Sequence, residues 1–196
     1  MSVLLHLIKW QLGLAPAEVW TTDAERACLA RHAADKRRLV EVGVWHGGTT
    51  RYLREAMSSE ATLYAVDPFP AGHFGVSLPR VVARREVNQV RNGRVVWLRT
   101  TGAAAARLET MGEQPPIDFV FVDNAQTYET LEAEWTAWSP VVGAGGVICL
   151  HDSRPWPEDQ PVQSSVEYAR TVVRNDPRFT TVDEVDSLTV LRRLPG

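Results

Sequence analysis

The chain has few of the features that would narrow a function by themselves. It has only two cysteines, Cys28 and Cys149. They are too few and too far apart for a disulfide framework, so a reducing compartment, the cytoplasm, is the expected location. It has no excess of basic charge: 21 Lys and Arg stand against 24 Asp and Glu, a formal net charge of -3. Without a basic stripe, no nucleic-acid partner is expected. No apolar run is long enough to span a bilayer. The apolar start, Val3-Leu4-Leu5-His6-Leu7-Ile8-Lys9-Trp10, lacks a basic leader and a small-residue cleavage site, so it does not read as a signal peptide. There is no internal repeat and no low-complexity tract.

Hydrophobic residues make up 44% of the 196 residues and charged residues 23%, enough for an ordinary core in one domain. The pattern divides into an N-terminal helical cap over 1–37 and a body over 38–196. In the cap, an amphipathic helix is expected over 3–14, ended by Gly13 and Pro16. Its simplest role is packing on its own domain. A membrane surface, the pocket or a partner subunit in a homo-oligomer are its alternatives. A second helix is expected from Asp23 to Ala34, capped by Thr22 or Asp23.

From Leu39 the pattern becomes strand and helix in alternation. Leu39–Val44, Leu63–Val66, Val95–Leu98, Ile117–Val122 and Gly146–Leu150 are apolar strands. Helical segments stand between them, one carrying Tyr128, Leu131, Trp135 and Trp138 on one face. This alternation predicts crossover connections and a parallel sheet, buried on both faces. At the end, Arg178–Val185 and Leu188–Arg192 are strands joined by Asp186-Ser187, too tightly for a crossover, so they pair antiparallel. The expected fold is a Rossmann-like, doubly wound α/β sheet of seven strands: five parallel, then a C-terminal antiparallel hairpin with the last strand reversed.

Ligands of such sheets bind beyond the carboxyl ends of the strands. The first such end reads Glu41-Val42-Gly43-Val44-Trp45-His46-Gly47-Gly48-Thr49-Thr50. A dinucleotide fingerprint needs a glycine where Trp45 stands, and an indole would obstruct a pyrophosphate. A P-loop needs a lysine where Thr49 stands. A cofactor with adenosine and a carboxylate but no phosphate fits better. Gly43 and Gly47 allow a close turn, and the helix start after Gly47 attracts a carboxylate. The bland alternative is a tight strand-to-helix turn. Asp67 ends the second strand, placed to accept from ribose hydroxyls or else to cap the chain before Pro68. The loop, Asp67 and the reversed last strand together favour S-adenosylmethionine over NAD.

Four segments carry a family resemblance: Leu39–Thr50, Leu63–Phe69, Asp118–Asp123 and Gly145-Gly146-Val147-Ile148-Cys149-Leu150-His151-Asp152-Ser153. On these the chain resembles the class I S-adenosylmethionine-dependent methyltransferases, and among them the bacterial group related to macrocin and sugar O-methyltransferases. The resemblance spans about Trp20 to Arg193. It implies that Glu41, Gly43 and Gly47 shape the methionine end of the cofactor site, Asp67 holds the ribose, and Thr101-Gly102-Ala103 lies beside adenine. Thr101 reads equally as a helix cap. It also implies a small-molecule substrate bearing a hydroxyl, a sugar or natural-product scaffold.

Asp123 and His151-Asp152 end the fourth and fifth strands, which should be neighbours. Two carboxylates and an imidazole there are a candidate site for Mg²⁺ or Mn²⁺, which would lower the pKa of a bound hydroxyl. Relatives commonly read Asp-Gly-Asp-His-Ser-Tyr-Glu after the fourth strand; this chain reads Asp123-Asn124-Ala125-Gln126-Thr127-Tyr128-Glu129. Ala125 replaces an acid and Gln126 replaces the histidine suited to be general base, and an amide takes up no proton at neutral pH. The candidate catalytic residues are Asp123, His151 and Gln126, with His46 and His73 as weaker alternatives for the base. A protein that binds the cofactor without transferring its methyl group is the alternative function.

Overall fold

The computed structural model describes residues 10, 17–72, 75–157 and 162–196. The helix expected over 3–14, apart from Trp10, lies outside the described residues, as do His73 and residues 158–161.

The first described helix, α1 (Asp23–Ala33), opens on a reciprocal cap: the Thr22 hydroxyl accepts from the Glu25 amide, and the Glu25 carboxylate accepts from the Thr22 amide. There follow β1 (Arg38–Val42), α2 (Gly48–Ala56), β2 (Thr62–Val66), α3 (Leu78–Val87), β3 (Arg94–Leu98), the single turn α4 (Gly102–Ala105), β4 (Ile117–Val122), α5 (Tyr128–Trp138), β5 (Val142–Leu150), α6 (Ser165–Thr171), β6 (Phe179–Val185) and β7 (Leu188–Arg193). The seven strands form one sheet in the order β3-β2-β1-β4-β5-β7-β6. The first five are parallel, and β7 lies antiparallel between β5 and β6. The expected architecture is therefore the observed one, with β7 inserted between β5 and β6.

The central strands β1, β4 and β5 are mostly apolar where both faces are covered, and their alternation sorts residues to the two sides. Val40, Val42, Val120, Val122, Ile148 and Leu150 face the core beneath α5 and α6, with Leu131, Trp135 and Trp138 of α5. Leu39, Phe119, Phe121, Val147 and Cys149 face the other core, with Cys28, Leu29 and Ala33 of α1. Thus α1, assigned by sequence to the cap, shares the core of the body.

Sheet hydrogen bonding runs one residue past the strand ends. Gly43 donates to the Val66 carbonyl at 2.9 Å, Asp67 to Leu98 at 3.1 Å, Asp123 to Val42 at 2.8 Å and His151 to Val122 at 3.0 Å. These bonds set Asp67, Gly43, Asp123 and His151 in a row along the carboxyl edge of neighbouring strands.

Candidate active site

That row lines a cavity of about 610 Å³, together with Trp20, Trp45, Asn124, Gln126, Asp152 and Gln163. Of the residues singled out by sequence, the cavity brings together Gly43, Asp67, Asp123, Gln126, His151 and Asp152. Glu41, Gly47 and Thr101 are not among its lining residues. His46 is buried beside Glu18 and stacked on Trp45, and it does not line the cavity either.

The side of the cavity around Gly43 and Asp67 is a backbone construction. Gly43 turns at φ 94°, and a Cβ there would stand 2.9 Å from the Asp123 carbonyl carbon. Gly47 opens α2 at φ 76°, with α3 so close that a Cβ would meet Ala83. Asp67 fixes the loop between them: its Oδ2 accepts from the Val44 and Trp45 amides, both at 3.1 Å, and its Oδ1 from Phe69 at 2.7 Å. Oδ2 is then fully used, Oδ1 keeps one lone pair to spare, and the side chain is only half-buried. Glu41 lies fully buried on β1, and neither of its oxygens has a hydrogen-bond partner among the described residues. Burial pushes its carboxyl well above the usual range; the Thr50 hydroxyl opposes this, and Asp123 and Asp67 add to it. A buried acid of this kind calls for a polar partner, and the Thr50 hydroxyl is the one nearby. Thr101 caps α4, its hydroxyl accepting from Ala104 at 3.4 Å. Glu134 braces this end from below, accepting from the Asn124 side-chain amide at 3.1 Å and the Trp138 indole at 3.2 Å.

The opposite side is a cluster of charges. The His151 ring lies between two carboxylates: Nδ1 is 2.7 Å from Asp123 and Nε2 is 3.3 Å from Glu25. Asp152 stands 3.6 Å from the same Nδ1. Both ring nitrogens therefore act as donors, as in an imidazolium. Burial works against that charge, but the bonds to Asp123 and Glu25 outweigh it and push His151 up to about 10. Burial acts to raise Glu25 as well, yet His151, Thr22 and Ser187 hold it below the usual range. Burial raises Asp123, against the pull of His151. Gln126 donates to Asp152 at 3.4 Å. Ala125, where relatives carry an acid, is buried in the apolar cluster beneath α5.

Glu25 is the member that sequence reading missed. It caps α1, accepts from the Ser187 amide and hydroxyl at 2.9 and 2.8 Å, and reaches His151. Its only signal was the Thr22–Glu25 capping spacing, which predicts a helix start and nothing about the site. Trp20 and Trp45 were missed as pocket residues too. Both indoles are exposed at the cavity, and Trp45 holds φ 50° while donating from its ring to Glu18 at 3.1 Å.

The donors expected to hold Mg²⁺ or Mn²⁺ do not fit that ion as arranged. His151 directs no lone pair outward, and Asp123, His151 and Asp152 do not bring three ligand atoms within 4.8 Å of one another.

Residues 40–153 match the family model described as a methyltransferase domain. The chain belongs to that family. Solved structures share its fold at low identity. A Corynebacterium glutamicum protein aligns over 100% of this chain and 99% of its own at 14% identity, with a TM-score of 0.69. The O-methyltransferase TomG from Streptomyces achromogenes, solved with S-adenosylmethionine, is 17% identical over 95% of this chain and 86% of its own, TM-score 0.65. An O-methyltransferase from Bacillus cereus, solved with S-adenosylhomocysteine, is 16% identical over 97% and 90%, TM-score 0.64. By family the chain is a methyltransferase-domain protein, and it shares the fold of these O-methyltransferases.

Proposed function

We propose that this methyltransferase methylates a hydroxyl of a small molecule, a sugar or natural-product scaffold, and that it does so without a divalent cation at Asp123. The observation that carries this reading is the junction of the two half-sites in one cavity: the Gly43 loop and Asp67 on one side, Asp123, Gln126 and His151 on the other. TomG acts in tomaymycin synthesis, which supports a natural-product acceptor.

Bound S-adenosylmethionine supplies an electrophilic methyl group. Gly43 and Gly47 would let the backbone turn close to its amino-acid end, with Glu41 buried on β1 just before that loop, and Asp67 Oδ1 would accept from a ribose hydroxyl. The Thr101-Gly102-Ala103 turn borders the adenine. Asp123 presents one oxygen to the acceptor hydroxyl while His151 holds the other, so the hydroxyl is aimed and its proton accepted at the Asp123 carboxylate. Gln126 orients the acceptor through its amide. Displacement at a methyl group needs alignment above all, and such fixed groups supply much of the rate.

One feature favours the alternative, binding without transfer. The histidine of relatives is Gln126 here, and His151 is bonded at both nitrogens. Calorimetric titration with S-adenosylmethionine and S-adenosylhomocysteine, followed by assays on hydroxyl-bearing acceptors with and without chelator, tests both. Micromolar binding that Asp67→Ala weakens at least tenfold is expected, with chelator-insensitive release of S-adenosylhomocysteine when an acceptor is methylated. Absence of binding overturns the cofactor assignment; activity abolished by chelator overturns the metal-free one.

A further inference from the structure

A second cluster lies away from the cavity, about one turn further along α1 from Glu25. Cys28 and His32 stand one turn apart on the same face of that helix, and Asp183 of β6 faces them. The Cys28 sulfur is 3.4 Å from Asp183 Oδ2, and His32 Nε2 is 3.3 Å from the same oxygen. All three donor atoms lie within 4.8 Å of one another, the only such trio of His, Cys, Asp or Glu among the described residues. We propose that Cys28, His32 and Asp183 bind Zn²⁺ and that this ion fastens α1 to β6.

The spacing is that of a coordination shell. With Zn–S of about 2.3 Å and Zn–N or Zn–O of about 2.0 Å, a tetrahedron has edges of about 3.5 Å between sulfur and oxygen and about 3.3 Å between nitrogen and oxygen. The two separations to Asp183 match these edges, and the sulfur and nitrogen lie within 4.8 Å of each other. The donor set suits zinc: one thiolate, one imidazole and one carboxylate, whose two negative charges neutralise the ion. The Glu184 amide donates to Asp183 Oδ1 at 3.0 Å and orients the carboxylate from behind. Cys28 is fully buried, whereas the side chains of His32 and Asp183 are 15% and 28% exposed, so solvent can reach the fourth position. Arg31 pairs with Asp183 at 3.0 Å, but it is 60% exposed and free to turn into water as the ion enters. Burial, and then the hydrogen bond to Asp183, push the Cys28 thiol up to about 12. Binding therefore releases one proton to solvent as the Zn–S bond forms, and affinity rises with pH.

The position gives the ion a purpose. Glu25, three residues before Cys28, is the side chain that α1 sends to His151 and Ser187. An ion one turn further along the helix would hold that element in place for the active site.

The test is titration of chelator-treated full-length protein with Co²⁺, read as the thiolate-to-cobalt charge-transfer band in the near ultraviolet, then displacement by Zn²⁺. The expected result is a one-to-one band, lost in Cys28→Ser and kept in Cys149→Ser, with His32→Ala weakening Zn²⁺ at least tenfold. Should Cys28→Ser fail to fold, as judged by circular dichroism, His32→Ala and Asp183→Asn carry the test. No band, a band that survives Cys28→Ser, or Zn²⁺ affinity unmoved by His32→Ala overturns the proposal. None of these readouts depends on methyl transfer.

Discussion

The two sides of the cavity are made in different ways. The side formed by Gly43, Gly47 and Asp67 is closely packed backbone: Val44 and Asp67, 23 positions apart, are joined by an amide-to-carboxylate bond. The side formed by Asp123, His151 and Glu25 is a set of charges drawn from across the chain, with Glu25 separated from Ser187 by 162 residues. A backbone cradle fails when a side chain intrudes. A charge cluster fails when one partner is removed and the others are left buried without it. Substitutions on the two sides should therefore have separable signatures, one in ligand affinity and the other in stability and pH response.

The largest effect is expected from Gly43→Ala. The new Cβ meets backbone at Asp123, 2.9 Å from its carbonyl carbon, and the position holds a φ that non-glycine residues rarely adopt. Because the obstructing atoms belong to Asp123 and Asn124, just past β4, the contact cannot be relieved without moving Asp123. Calorimetry should show binding of S-adenosylhomocysteine weakened at least a hundredfold. Affinity within a few-fold of the parent protein would show that the loop is not a close-fitting cradle.

Glu25→Gln should give the opposite signature. The amide keeps an oxygen for Ser187, but its NH2 then replaces the oxygen that accepts from the Thr22 amide and faces His151, so His151 has one carboxylate fewer. Loss of one partner from a buried charged set costs about 3 kcal/mol, so the urea midpoint should fall clearly while cofactor affinity stays within a few-fold. An unchanged midpoint would mean that the Glu25–His151 contact contributes nothing.

The contrast also shows what a sequence can disclose. The Gly43 loop, Asp67 and the order of the elements were legible because glycine spacing, apolar runs and strand ends are local signals. Asp123 and His151 were legible as neighbours because β4 and β5 follow each other in a parallel sheet. That both nitrogens of His151 are occupied was not legible. It depends on where α1 docks, which is decided by packing of Cys28, Leu29 and Ala33 against the sheet. Ala125 read as a lost acid; in the fold it is a buried core position, where a carboxylate would have to be desolvated. Trp45 read only as an obstruction to pyrophosphate, since its left-handed backbone cannot be told from its name.

A smaller effect should appear in the pH dependence of stability. Folding raises His151 from the ordinary 6.5 to about 10, so the native state binds the proton more tightly than the unfolded chain. The contribution is complete below about pH 6.5 and declines as pH rises toward 10. Urea midpoints measured from pH 6 to 10 should therefore fall more steeply in the parent protein than in His151→Gln. The difference between the two curves removes the titration of tyrosines and lysines. Parallel curves would show that the imidazole is not charged in the folded state.

The smallest effect is expected from Gln126→His, which restores to the charged side the group that relatives carry. Gln126 is exposed at the cavity, and its only hydrogen-bond partner among the described residues is Asp152 at 3.4 Å, so the substitution disturbs little of the structure. A histidine beside Asp152 can take up a proton at neutral pH, which the amide cannot. If proton removal limits transfer, kcat should rise severalfold, with a new limb in the pH–rate profile near the histidine range and an unchanged KM for the cofactor. If Asp123 already suffices, kcat will not move. The charged side would then be complete as it stands, its base the carboxylate that His151 and Glu25 hold in place.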